Sequence, residues 1–175
     1  LTVAKDLQPG SGTDIGMVEN GGRGPITPLA ASPFTEQYPA PSPDGQWMAF
    51  VSDQSGEPQV YVRPLRRQGD MVQVSLDGGS EPVWGPDGRE LFYRGVDKGQ
   101  AVLASAGLRL TPEVSVLARR TLFPIDEMVG TTSHANYDIA PDGRTFVMVQ
   151  RSPANRIMVI QNLPGLVKRM RGSNS

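Results

Sequence analysis

No cysteine occurs among the 175 residues, so neither a disulfide framework nor a thiolate metal site is available. Histidine occurs once, at His134, which excludes a metal site built from several imidazoles. No apolar run approaches the ~18–20 residues needed to span a bilayer, and no signal peptide stands at the start. The chain opens at Leu1 rather than at a methionine and reads as a mature or excised piece of a longer protein. Neither sign of charge dominates: 17 basic residues face 18 acidic ones, leaving no electrostatic footprint for nucleic acid. The lack of cysteine suits an extracytoplasmic compartment, and the expectation for localisation is periplasmic.

Catalytic signatures are missing as well. A Ser-His-Asp triad would have to use His134, yet its neighbour Ser133 points away from it and no Gly-x-Ser-x-Gly elbow occurs. A loop histidine is the better reading. Gly10-Ser11-Gly12 and Gly21-Gly22-Arg23-Gly24 lack the Lys-Ser/Thr ending and following helix of a phosphate loop, so both read as turns. No His-Arg-Asp or Asp-Phe-Gly motif supports phosphotransfer. Asp53 and Asp97 are the acids a Ca²⁺ site would draw on, but no run of alternating Asp/Asn ligands exists. The chain is expected to be no enzyme and to hold no metal or cofactor.

What the sequence does have is a Pro-Asp-Gly tripeptide at Pro43, Pro86 and Pro141, offset by 43 and 55 residues. Proline presets φ, Asp can cap amides two residues on, and Gly tolerates positive φ, so each copy predicts a tight hairpin. Asp44, Gly45, Asp87, Gly88, Asp142 and Gly143 are therefore assigned to turns. The flanks repeat too. Met48 and Phe50, Leu91 and Tyr93, and Phe146 and Met148 stand five and seven residues after the prolines, on one face of each outgoing strand. Pro41, two residues before Pro43, belongs at an edge or strand start.

The offsets fall at or just beyond the period of four-stranded propeller blades. Strand-like runs number three, four, four and three along the chain. The fold class expected is all-β, a partial β-propeller of about three and a half antiparallel four-stranded blades. Its segments are a partial blade at 1–31, blades at 32–76 and 77–123, a partial blade at 124–163, and a tail at 164–175. The first piece lacks its first strand and the last its fourth. Only Leu163 to Arg171 suggests a short helix. Its Lys168-Arg169-Met170-Arg171, like Arg66-Arg67 and Arg119-Arg120, is expected to face water.

The stretch PSPDGQWMAFVSDQSGEPQVYVRPL followed by SLDGGSEPVWGPDGRELFYRG closely resembles the TolB-like family of bacterial propeller repeats. Within it, the chain looks most like the C-terminal propeller of bacterial receptor serine/threonine kinases, over roughly Asp14 to Leu163. Pro41 replaces a usual aromatic, and Tyr137-Asp138-Ile139-Ala140 replaces Pro-x-Trp-Ser. The resemblance implies a non-catalytic domain for binding proteins or small ligands, acting as a sensor or docking segment. The alternative is a substrate-gating propeller beside a prolyl-oligopeptidase-like hydrolase.

In a propeller the first strand of each blade lines a central channel. The residues placed where the chain enters those strands are Tyr38, Glu81, Trp84, His134 and Asn136, with Arg94 closing an adjacent strand. These are the candidate binding residues. For Tyr38 and Trp84 the competing reading is packing between blades. The expected partners are a protein or small molecule, with no nucleic acid and no membrane insertion. Self-association, or completion by the parent protein, is expected at the ragged ends.

Overall fold

A computed structural model describes residues 2–5, 12–67, 69–130, 134–150 and 157–160, the backbone alone at 2–5, 20 and 157–160. The Leu163–Arg171 segment lies outside the described residues. Each Pro-Asp-Gly closes a hairpin in the same way. The Gly amide donates to the carbonyl three residues back, at 2.9 Å from Gly45 to Ser42, Gly88 to Gly85 and Gly143 to Ala140. The three glycines have φ of 67°, 68° and 66°, a region that other residues enter at a cost. The Asp carboxylate then accepts the amide two residues on: Gln46 at 3.0 Å, Arg89 at 2.9 Å and Arg144 at 2.8 Å.

These hairpins organise four antiparallel sheets among the described residues. Blade 1 holds β1 (Thr2–Lys5), β2 (Thr13–Val18) and β3 (Ile26–Ala30). Blade 2 holds β4 (Glu36–Pro41), β5 (Trp47–Ser52), β6 (Gln59–Pro64) and β7 (Val72–Gln73). Blade 3 holds β8 (Gly79–Trp84), β9 (Glu90–Asp97), β10 (Gln100–Arg109) and β11 (Ser115–Pro124). Blade 4 holds β12 (Tyr137–Ile139), β13 (Phe146–Val149) and β14 (Ile157–Ile160). Strands pair in sequence order within each sheet. The only helical turn among the described residues is a 3₁₀ turn at Asn20–Gly22.

Residues 31–35 join β3 to β4, just as residues 74–78 join β7 to β8. So short a link fits an outer strand returning to the next inner one. Among the described residues blade 1 therefore lacks an inner strand and blade 4 an outer one. Pro41 ends the edge strand β4, where its missing N–H costs no ladder bond.

The core lies between the sheets rather than inside any one of them. Met48 and Phe50 pack with Ile15 and Ala30 of blade 1. Leu91 and Tyr93 share a layer with Val51, Val60 and Val62 of blade 2. Phe146 and Met148 share one with Phe92, Leu103 and Phe123 of blade 3, and the Phe146 ring meets Phe92 edge-on with centroids 5.0 Å apart. Every residue of β5 is buried, because a second strand is covered on both faces by neighbouring blades. The same covering buries Gln59 and Tyr61 along with Val60 and Val62, although that segment alternates polar and apolar. The buried Gln59 amide donates to the Leu76 carbonyl at 3.0 Å.

The run MVQVSL forms only the short strand β7: the Val74 amide still donates to Val60 at 2.7 Å, but the Ser75 amide turns back onto the same carbonyl. Arg66, Arg67, Arg119 and Arg120 are exposed, as expected, and two of them also make contacts. Arg67 stacks over the Trp47 ring at 5.0 Å, and the Arg119 Nε donates to the Val74 carbonyl at 2.6 Å, tying blade 3 to blade 2.

Candidate functional site at the inner strands

The inner strands β4 and β8 each carry a bulge. Pairing of β4 with β5 jumps between Gln37 and Ala40, and pairing of β8 with β9 between Ser80 and Val83. At those bulges stand Tyr38 and Glu81, with φ of 54° and 51°. A non-glycine residue in the left-handed region costs of order 1–3 kcal/mol, and such outliers concentrate at functional sites. Both lie five residues before a Pro-Asp-Gly proline, and in blade 4 that position is Asn136. Three of the candidate residues are thus one position of the repeat, and a local kink re-aims two of them, Tyr38 and Glu81.

Glu81 is 1% exposed, and each of its oxygens is engaged. Its Oε1 pairs with the Arg94 Nε at 3.4 Å. Its Oε2 accepts the Asn136 backbone N–H at 2.8 Å. Its carbonyl accepts the Tyr137 hydroxyl at 2.8 Å. Arg94 in turn donates to the Val129 carbonyl at 3.3 Å. A Cβ built on Gly130 would lie 3.1 Å from Glu81 Oε1 and 3.4 Å from the Arg94 guanidinium carbon, so the 129–130 backbone closes over the ion pair. Burial, followed by the Glu81 charge, raises the Tyr38 phenol above the usual tyrosine range, with Arg94 opposing. The same first two causes push Tyr137 well above it.

The structure therefore brings Glu81, Arg94 and Asn136 into one polar belt between blades 3 and 4. Tyr38, 8% exposed, packs in the apolar layer between blades 2 and 3, where the charges of Glu81 and Arg94 reach it. Trp84 shares the layer that holds Tyr38. It is 7% exposed, packs in the layer between blades 2 and 3, and donates its indole N–H to the Ala40 carbonyl at 2.9 Å. His134 is exposed on the link into blade 4. Sequence reasoning missed Tyr137, Val129 and Gly130. The signal for Tyr137 is its place directly after the repeat position Asn136; Val129 and Gly130 act through backbone and carry none.

Asp53 and Asp97 are engaged elsewhere. Asp53 accepts the Thr35 amide at 2.8 Å, and Asp97 the Thr121 hydroxyl at 2.9 Å. Among the described residues no group of three His, Cys, Asp or Glu side chains is arranged to hold a metal ion. With Arg94 neutralised by Glu81, what the belt does chemically is fix geometry. It holds the lead-ins of consecutive inner strands in register with one another.

No protein-family model matches the sequence, and no curated protein matches it. Solved structures match the fold. A structure assigned to TolB from Agrobacterium tumefaciens aligns over 92% of this chain and 56% of its own, with 14% identity and a TM-score of 0.64. TolB from Acinetobacter baumannii aligns over 93% and 49%, with 15% identity and a TM-score of 0.56. The β-propeller domain of the Trilobed protease from Pyrococcus furiosus, described as having an open velcro topology, aligns over 74% and 39%, with 12% identity and a TM-score of 0.50. At such identities the likeness is one of fold: an all-β, partial β-propeller. The chain spans about half the length of the two TolB structures.

Proposed function

We propose that this chain is a non-catalytic recognition domain, the extracytoplasmic sensor or docking segment of a larger bacterial protein such as a receptor serine/threonine kinase or a TolB-like protein. The observation that carries the reading is the Glu81 belt. It spends strained backbone and a buried ion pair on positioning the lead-ins of blades 3 and 4, and leaves His134 exposed beside them. Rigid presentation of a surface is what a docking module requires. The likeness to TolB supports it further.

A photo-crosslinking residue tests the surface. Placed at His134 in the parent protein, it captures a partner in cells, whereas one at the exposed Arg144, on the opposite Pro-Asp-Gly face, does not. Equal capture, or none, at both positions sinks the docking reading.

The likeness to the propeller domain of a protease favours a second reading, a gate on substrate access to an adjoining hydrolase. The parent reading frame separates the two. A transmembrane helix and kinase motifs support the first, and a Gly-x-Ser-x-Gly segment the second. Under either reading the 175-residue chain turns over no peptide, ester or ATP; turnover lost in a His134→Ala variant would overturn that.

A further inference from the structure

The seam between blades 1 and 2 buries two acids. Glu36, the first residue of β4, is 2% exposed, and Asp14, the second residue of β2, is 0% exposed. These two strands pack against each other. Glu36 Oε1 accepts the hydroxyl of Ser32, in the link from β3. Its Oε2 is buried and has no hydrogen-bond partner. A buried charged oxygen without a donor is costly, and protonation removes the charge. The titratable groups acting on Glu36 are Asp14 from β2 and Asp53, which follows β5.

We infer that Glu36 works as a proton-operated latch between blades 1 and 2, packed more tightly when protonated than when ionised. Burial first, then the charges of Asp14 and Asp53, raise its affinity for the proton, with the Ser32 hydroxyl opposing. The folded chain therefore holds this proton more tightly than the unfolded one. The stabilisation is complete below the ordinary carboxylate range and is lost as pH rises through the raised folded value. The effect is local. What lies across the seam is Ile15 and Ala30 against Met48 and Phe50, a layer separate from those between the later blades.

Carboxyl ¹³C titration of the full chain by NMR, with thermal melts of parent and Glu36→Gln, tests the latch. Glu36 is expected to titrate above the ordinary value of about 4.3. Glu36→Gln is expected to melt roughly 2–4 °C higher than the parent at alkaline pH. That gap closes as the pH falls to the acid range. An exposed control, Glu113→Gln, shows no such pH-dependent gap. Glu36 titrating at or below the ordinary value, or a gap independent of pH, overturns the inference. If the glutamine variant does not fold, the titration alone decides.

Discussion

Glu81 accepts the backbone N–H of Asn136, its own counterpart in the next blade, at 2.8 Å. A side chain of one repeat thereby fixes the backbone of the same position one repeat later. Removing it leaves Arg94 with 17% of its side chain exposed and no counter-charge. Glu81→Ala is expected to cost about 3–5 kcal/mol, the range for breaking a buried pair from one side. Glu81→Gln should cost less, because its amide oxygen still accepts from Asn136. Urea unfolding monitored by tryptophan fluorescence ranks the two, and equal midpoints for Glu81→Ala and the parent would refute the clamp.

Tyr137→Phe removes only the hydroxyl that reaches the Glu81 carbonyl. A single hydrogen bond of this kind contributes ~1 kcal/mol. The variant is expected to unfold at slightly lower urea with an unchanged slope. A changed slope would mean that the seam of blades 3 and 4 had rearranged instead.

The turn aspartates set the response to acid. Hydrogen bonds from the Ser42 hydroxyl and the Gln46 amide hold Asp44 below the usual carboxylate range. The Arg144 amide and Thr145 do the same for Asp142. Depressed values mean stabilisation that is present above the unfolded pKa and lost as pH falls through the folded one. The double variant Asp44→Asn, Asp142→Asn should melt lower at neutral pH and lose less on acidification below about pH 4. Parallel melting curves for parent and variant would contradict this.

Association is expected of the isolated chain. β1 pairs only with β2 among the described residues, so one of its edges stays open, and open edges recruit strands from other chains. We expect a self-associated species by sedimentation at micromolar concentration. A stable particle near 18.9 kDa would rule this out.

The turns and the blade succession were legible because they rest on local chemistry. Pro-Asp-Gly dictates its own backbone, and the apolar pairs that follow it mark one strand face. The candidate positions Tyr38, Glu81 and Asn136 were legible as places where the chain enters inner strands. The joining of Glu81 to Asn136 was not. The meeting of Glu81 with Arg94 depends on bulges that put Tyr38 and Glu81 at positive φ, a conformation neither residue type signals. Trp84 was ambiguous for a similar reason. Its partner, the Ala40 carbonyl, is backbone from another blade. Burial of Gln59 was hidden as well, because alternation within one strand does not show that sheets cover both faces.

The apolar pair after each Pro-Asp-Gly always seals the layer behind it: Met48 and Phe50 against blade 1, Leu91 and Tyr93 against blade 2, Phe146 and Met148 against blade 3. That gives the chain a direction. On a ribosome, where chains emerge and fold N-terminal end first, a blade stays uncovered on its trailing side until the second strand of its successor appears. Synthesis thus proceeds with one wet face always travelling just behind the tunnel. The 55-residue spacing before Pro141, the longer of the two offsets, makes the wait longest for blade 3. A holdase that protects this protein in the making would find its target there, on the face later covered by Phe146.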